Sequence, residues 1–440
     1  MNSTKNIFKI TYPIFLTLLA QNFVNLTDTA FLGRVSEVAL GASAIGGVFY
    51  FAIYVVGFGF SQGAQILIGR RNGEKNFKQI GPIFNNGLVF IVFLSLFFFL
   101  ITFFGNAHAL KVMVSSTEIY NGALEYLDWR IYGFFFAFVN TLFRGFYVGI
   151  TQTRILTISA VITTITNILL DYVLIFGHLG FPELGIAGAA LASVIAEAAS
   201  TFYLLYHTFS NKDFKKYELF RRIELDFKAV GQILSLSVFI MFQFFISIST
   251  WFVFFLFIEH MGERQLAVTN IGRSMYILLM MPAHALSTTA GTLVSNLIGA
   301  GQTDEVMHTT SKICWIASLI AAPFLVFTFF FPELFAHIYT DDHGLMEASV
   351  PVIKVVSVAV AFFAVGNVIV NAVSGTGNTK TAFVFEFVTL FFYIAYVYVT
   401  AIVYPQPVYV VWMSEFVYWS IIALFGYIYL KTGKWRGKDI

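Results

Sequence analysis

The chain has 440 residues, 58% hydrophobic and 11% charged, with 53 phenylalanines and a mean hydropathy of +0.78. A soluble globular chain carries about 25% charged residues, so the composition excludes a soluble enzyme or binding module. The net charge of +2 is scattered along the chain and gives no footprint for nucleic acid. The single cysteine, Cys314, excludes an intramolecular disulfide and argues against a cysteine-based metal site.

Apolar runs recur along the whole chain, each long enough for the roughly 20 helical residues that cross a bilayer. They predict twelve spans, six near 9–33, 41–69, 82–104, 118–148, 155–177 and 185–209 and six near 229–258, 266–297, 312–331, 350–374, 381–404 and 407–430. The first run, from Ile10, is too long for the core of a cleavable signal and continues into a helix studded with polar residues. Between the sixth and seventh spans lies the one long charged connection, NKDFKKYELFRRIELDFK over 211–228, which reads as a solvated cytoplasmic linker. The sequence therefore divides into an N-terminal six-helix lobe (1–210), the linker (211–228) and a C-terminal six-helix lobe (229–440).

Positive charge sets the orientation. With the N-terminus inside, most of the 26 Lys and Arg fall in cytoplasmic segments, among them Lys5, Arg70, Arg71, Arg154, Lys212, Lys216, Lys312, Lys380 and Lys431. The opposite side receives only Arg34, Lys111 and Arg264, and the outer loop 332–348 carries Asp341, Asp342 and Glu347 without Lys or Arg. An even number of spans then places both termini in the cytoplasm.

A shift of 226 residues brings the two halves into register without gaps at two separated places. Leu40, Ile45, Gly46 and Tyr50 fall on Leu266, Ile271, Gly272 and Tyr276; Ser61, Ala64, Leu67 and Gly73 fall on Ser287, Ala290, Leu293 and Gly299; Gly149, Thr153 and Arg154 fall on Gly375, Thr379 and Lys380. Six spans is an even number, so the copies run parallel. The predicted fold is an all-α membrane protein of twelve transmembrane helices in two six-helix bundles related by a parallel internal repeat.

The repeat also exposes an asymmetry. Asp28 falls on Phe254 and Asp171 on Val397, so these intramembrane aspartates exist only in the first half. An aspartate at mid-bilayer costs roughly 2.5–3.5 kcal/mol on insertion scales, which makes it a functional residue by default. Asn167 precedes Asp171 by one helical turn, and Gln21, Asn25 and Asp28 share a face of the first span. These five residues form the expected cation-coupling group, with Na+ at Asp28, Asp171 and Asn167 as the one metal-ion option. Against this stands ordinary helix–helix hydrogen bonding, worth about 1 kcal/mol or less per contact.

Other buried charges divide between function and packing. Glu197, with Ser193 on the sixth span, and Glu386 in the eleventh form a second candidate cation or substrate set, and Glu415 is a possible repeat partner of Glu197. The competing reading pairs Glu386 with Arg273 or Lys354, and Arg130 with Asp128. No phosphate loop, H-E-x-x-H or dinucleotide fingerprint is present, so no catalytic residue is expected.

These residues resemble those of the multidrug and toxic compound extrusion (MATE) family. The resemblance spans nearly the whole chain and is carried by QNFVNLTDTAFLGR (21–34), IGGVFYFAIYVVGFGFSQGAQILIGRRNG (45–73), RGFYVGITQTR (144–154), NILLDYVLIFG (167–177), GIAGAALAS (185–193), LVSNLIGAG (293–301) and SGTGNTKT (374–381). Asp28 and Asp171 with Gln21 and Asn167 look most like the branch named for DNA-damage-inducible protein F, in which the polar cluster of the N-terminal lobe binds the coupling cation. Family members often have Thr or Gln where this chain has Ser193 and Glu197. The norfloxacin-exporting branch uses acids of the C-terminal lobe, which makes Glu386 a rival site. The resemblance implies a monomeric antiporter of a bacterial inner membrane, coupled to H+ or Na+, that exports small amphipathic, often cationic substrates by alternating access without a cofactor. The alternative on the same scaffold is a flippase for lipid-linked oligosaccharide or another large lipid. Phosphate groups would call for a more cationic interior than Arg130, Arg144, Arg273 and Lys354 supply.

Overall fold

The protein, seen in a computed structural model that describes residues 3–221, 226–437 and 440, is built from helices joined by short connections. The first half comprises α1 (Thr4–Val35), α2 (Glu37–Gly73), α3 (Ile80–Met113), α4 (Thr117–Arg130), α5 (Gly133–Gly149), α6 (Arg154–Phe176) and α7 (Gly185–Ser210). The second comprises α8 (Phe227–His260), α9 (Glu263–Gly299), α10 (Glu305–Phe330), α11 (Pro332–Tyr339), α12 (His343–Gly375), α13 (Thr379–Tyr398), α14 (Val408–Trp412) and α15 (Ser414–Thr432). No strand occurs among the described residues. Among the described residues eleven stretches are long and apolar enough to cross a membrane, and α4 with α5 makes a twelfth as a bent pair. The predicted all-α, twelve-span fold is the observed one.

Three details differ from the sequence expectation. The fourth span is not one helix: α4 and α5 meet at 57°. The outer connection after α10 contains the short helix α11, with Pro332 in its first turn, where the missing N–H costs nothing. The linker is docked rather than solvated, because Phe214 and Tyr217 are 2% and 1% exposed within a single 3-10 turn, 212–217. Their rings lie against Phe146 and Tyr147, and Tyr217 also meets Phe77 edge-on. Lys215 and Lys216, between them, stay exposed. Two apolar anchors inside a charged run are invisible to a composition argument.

Contacts divide the chain into two compact units, Tyr12–Met241 and Met1–Thr11 with Phe242–Ile440, so that the division falls inside α8 and not at the linker. Within the first unit, Ser237 of α8 packs against α2 at Gly63, where any side chain would strike the serine. One core cluster joins Leu32, Ala42, Leu110, Leu127, Ile175 and Ala190. The tightest feature near the site is the α6–α7 pair. A Cβ on Gly188 would come within 2.6 Å of the Leu174 carbonyl oxygen, so only glycine lets the two backbones approach this closely. Within the second unit, Val294, Leu297, Ile369, Val373, Ile422 and Trp435 form the corresponding core.

Candidate functional site

The α6–α7 contact and two threonine bonds set the frame. Thr157 of α6 donates to the Pro13 carbonyl at 3.2 Å and Thr164 to the Ala20 carbonyl at 3.4 Å, which lines α6 up along α1. Continuing along the same faces brings Asn167 and Asp171 of α6 to Asp28 of α1. Asn167 and Asp171 are 0% exposed, and Asp28 is partly exposed. With its amide nitrogen turned toward the acids, Asn167 donates to Asp171 Oδ2 at 3.2 Å and to Asp28 Oδ1 at 3.1 Å. The other end of the amide lies 3.4 Å from Ser193 Oγ of α7, where the serine hydroxyl can donate to the amide oxygen.

The two carboxyl groups are close enough to share a hydrogen bond, which requires a proton on one of them. Asp171 Oδ1 is buried and has no hydrogen-bond partner among the described residues. A buried, unsatisfied carboxylate oxygen costs about 1–3 kcal/mol or more, and a cation or proton at that oxygen removes the cost. The carboxyl oxygens of Asp28 and Asp171 suit H+ or Na+, with the Asn167 amide N–H groups bonded to both acids, and the set lacks the sulfur or imidazole ligands of a transition-metal site. No group of three or more His, Cys, Asp or Glu able to hold a metal occurs among the described residues.

The other expected residues fall elsewhere. Gln21 and Asn25 are exposed, not buried with the trio. Glu197 is bound to Arg130, with Nη2 to Oε1 at 2.6 Å and Nη1 to Oε2 at 2.9 Å, and accepts from the Tyr50 hydroxyl at 3.2 Å. The guanidinium lies 3.7 Å above the Tyr50 ring. The expected Arg130–Asp128 pair does not form, because Asp128 instead accepts from Asn106 at 3.1 Å. Gly133, at the start of α5, makes room for the ion pair, since a Cβ there would collide with Arg130 Nη1 and Glu197 Oε2. The bend between α4 and α5 and the ion pair thus belong together. Arg130 is also an electrostatic neighbour of Asp28.

In the second unit two acids are buried with no cationic partner among the described residues. Glu386, 2% exposed, accepts from Ser247 at 2.6 Å, from Gln243 at 3.4 Å and from the Tyr418 hydroxyl. Its expected partners are engaged elsewhere: Arg273 lies over Phe255 at 5.1 Å and Lys354 over Phe329 at 5.7 Å. Glu415, 4% exposed, accepts from Tyr276 at 2.8 Å and Trp419 at 3.0 Å. Tyr276 is the repeat partner of Tyr50, so the Tyr50–Glu197 contact of the first unit recurs as Tyr276–Glu415 in the second. Val356 stands at the position that corresponds to Arg130. The Tyr50/Tyr276 match was visible in the sequence; that each tyrosine holds a glutamate from the last helix of its half was not.

Comparison with known proteins bears on the family and the fold. The family model described as MatE matches residues 13–173 and 240–399, two stretches separated by almost the repeat spacing. The probable multidrug resistance protein NorM of Thermotoga maritima is 26% identical over 387 residues, covering 88% of this chain and 83% of that protein. A protein of the same name from Idiomarina loihiensis is 22% identical over 388 residues, covering 87% of this chain and 82% of that one. Among solved structures, the outward-facing conformation of a multidrug resistance MATE family transporter of the MOP superfamily superposes with a TM-score of 0.91 at 17% identity, over 97% of this chain and 95% of that one. The chain is a multi-pass integral membrane protein and belongs to the MatE family of transporters.

Proposed function

We propose that this transporter is a cation-coupled antiporter that exports amphipathic, often cationic drugs or toxic metabolites by alternating access. The observation that carries the reading is Asp171 Oδ1, a fully buried carboxylate oxygen without a partner, beside a second carboxyl group on a neighbouring helix. Two charges so close in a low-dielectric interior repel strongly, and binding one H+ or Na+ relieves both the repulsion and the desolvation. The relatives named as probable multidrug resistance proteins support the export role and the drug class.

The cation binds at the Asp28 and Asp171 oxygens, with the Asn167 amide, anchored by Ser193, holding the two carboxyl groups by its N–H donors and Gln21 and Asn25 lining the exposed approach along α1. Glu197 is committed to Arg130, so we assign it to holding α4, α5 and α7 together. Glu386 acts on the substrate side. The aspartates of the first half support a likeness to the DNA-damage-inducible protein F branch. The six-helix halves 1–210 and 229–440 act as the moving lobes of a monomer in a bacterial inner membrane, with both termini and the linker 211–228 cytoplasmic. Coupling requires that cation and drug favour different conformations, because a ligand shifts an equilibrium only by its differential affinity.

The test is reconstitution in liposomes with ethidium as cargo and ΔpH or ΔNa+ imposed separately. Asp171→Asn keeps the volume and removes the ionisable oxygen, so gradient-driven efflux should vanish while expression and melting behaviour persist. Normal efflux in this variant would overturn the proposal.

A further inference from the structure

The second unit carries a cleft between α10, α12 and α15 that the transport reading does not use. Its volume is about 740 Å3, within the range of about 300–1,000 Å3 usual for ligand pockets. Val365 and Ile369 of α12 form its apolar floor, and Cys314 of α10 lies 4.0 Å from the Val365 carbonyl oxygen. Helices α10 and α15 form the walls. The Arg436–Asp304 ion pair at 2.8 Å ties the chain just past α15 to the residue before α10, so both walls can be read from one end. His308, Lys312, Trp315 and Leu319 share one face of α10 at spacings of four, three and four. On α15 the order is Lys431, Tyr427 and Leu424, with the Lys431 Nζ 6.0 Å from the Tyr427 ring centroid. On both walls charge gives way to an aromatic ring and then to an exposed leucine.

That order is the order of a lipid. In a bilayer the headgroups lie at the surface, Trp and Tyr gather at the interface, and hydrocarbon begins below them. Basic pockets between transmembrane helices take acidic headgroups, which add charge attraction to the burial of the chains. The acids at this end are taken up locally: Asp304 by Arg436, and Glu305 at 3.5 Å from His308. We propose that this cleft is a binding site for one anionic phospholipid of the phosphatidylglycerol type, with its phosphodiester at Lys312 and Lys431 and one acyl chain along the apolar floor. The two ammonium groups meet phosphate as point charges with rotatable donors. Ser311 lines the same mouth and adds a hydroxyl donor. A zwitterionic lipid fits the same floor but brings its own cation to the lysines. On the orientation proposed above, the site lies in the cytoplasmic leaflet. The binding itself does not depend on the export reading.

The experiment reads intrinsic fluorescence of the purified full chain reconstituted in phosphatidylcholine. Dibrominated phosphatidylglycerol or dibrominated phosphatidylcholine is mixed in as quencher. Bromine quenches tryptophan on contact, and Trp315 is 68% exposed at the cleft. The chain has six tryptophans, so the quenching lost in Trp315→Phe is the part assigned to this site. That part should show a preference of about fivefold or more for phosphatidylglycerol. Replacing both lysines, Lys312→Gln with Lys431→Gln, should bring the two lipids within about twofold of each other. The pair Lys312→Arg with Lys431→Arg keeps the charge and should keep the preference. Soluble glycerophosphoglycerol, the headgroup without its chains, should leave the quenching unchanged. The proposal fails if both lipids quench Trp315 equally, which would make the cleft ordinary lipid-facing surface. It fails if the preference survives loss of both lysines, or if the Gln and Arg pairs lose it alike, which would mark the lysines as packing residues. Displacement by glycerophosphoglycerol would overturn it too, by marking a site for soluble phosphates.

Discussion

The Arg130–Glu197 pair allows a prediction with a worked magnitude. Its side chains are 10% and 18% exposed, so solvent screens it little. Two charge-assisted hydrogen bonds at 2.6 and 2.9 Å join the partners, and a cation–π contact at 3.7 Å adds to them. Hydrogen bonds to charged groups contribute about 1.5–3 kcal/mol each, and the ring contact about 0.5–2 kcal/mol, but these are not additive. Removing one partner of a buried pair costs about 3–5 kcal/mol, mostly because the other charge is left without compensation. The residual exposure favours the lower end. Arg130→Met and Glu197→Gln should each destabilise the protein by about 3 kcal/mol, and the double variant by about 3 kcal/mol as well, for a coupling energy near the top of the range for residues in contact. The assay is equilibrium unfolding in mixed detergent micelles, scored as a double-mutant cycle. A coupling energy below about 0.5 kcal/mol would refute the reasoning.

Asp28→Asn and Asp171→Asn should act as one unit: each alone removes most gradient-driven efflux and the double variant is little worse, because residues of one site are non-additive. Glu386→Gln should change drug affinity while keeping the response to ΔpH and ΔNa+; loss of that response with Asp28→Asn still coupled would move the ion site to the second unit. Cysteines placed at Lys216 and Gly437 should label only from the cytoplasm and one at Asp342 only from outside; outside labelling of Lys216 would reverse the orientation. Phe214→Ala should undock the linker at a cost of about 3–5 kcal/mol, as for other buried Phe truncations, seen as faster proteolytic nicking after Asn211; unchanged nicking would show that the ring does not hold the segment.

Helix placement, the internal repeat and the acid pair were all legible in the chain itself. Hydrocarbon demands long apolar helices, and that demand is local, so span lengths and loops can be read residue by residue. The repeat is a one-dimensional pattern and needs no coordinates. Asp28, Asn167 and Asp171 stood out because a polar residue in an apolar helix is conspicuous wherever that helix goes, and helical spacing alone put Asn167 over Asp171. What such spacing cannot supply is the partner from another helix. Arg130 had Asp128 two residues away, on a different face of α4, and took Glu197 from α7 instead, across a gap that Gly133 keeps open. Glu386 and Glu415 had arginine and lysine on neighbouring helices and took hydroxyl, amide and indole donors. The bend between α4 and α5, the docking of Phe214 and Tyr217, and the exposure of Gln21 and Asn25 belong to the same class. Each depends on which surfaces meet once the helices pack, and a side chain's burial and counter-charge are properties of that packing, not of its own helix.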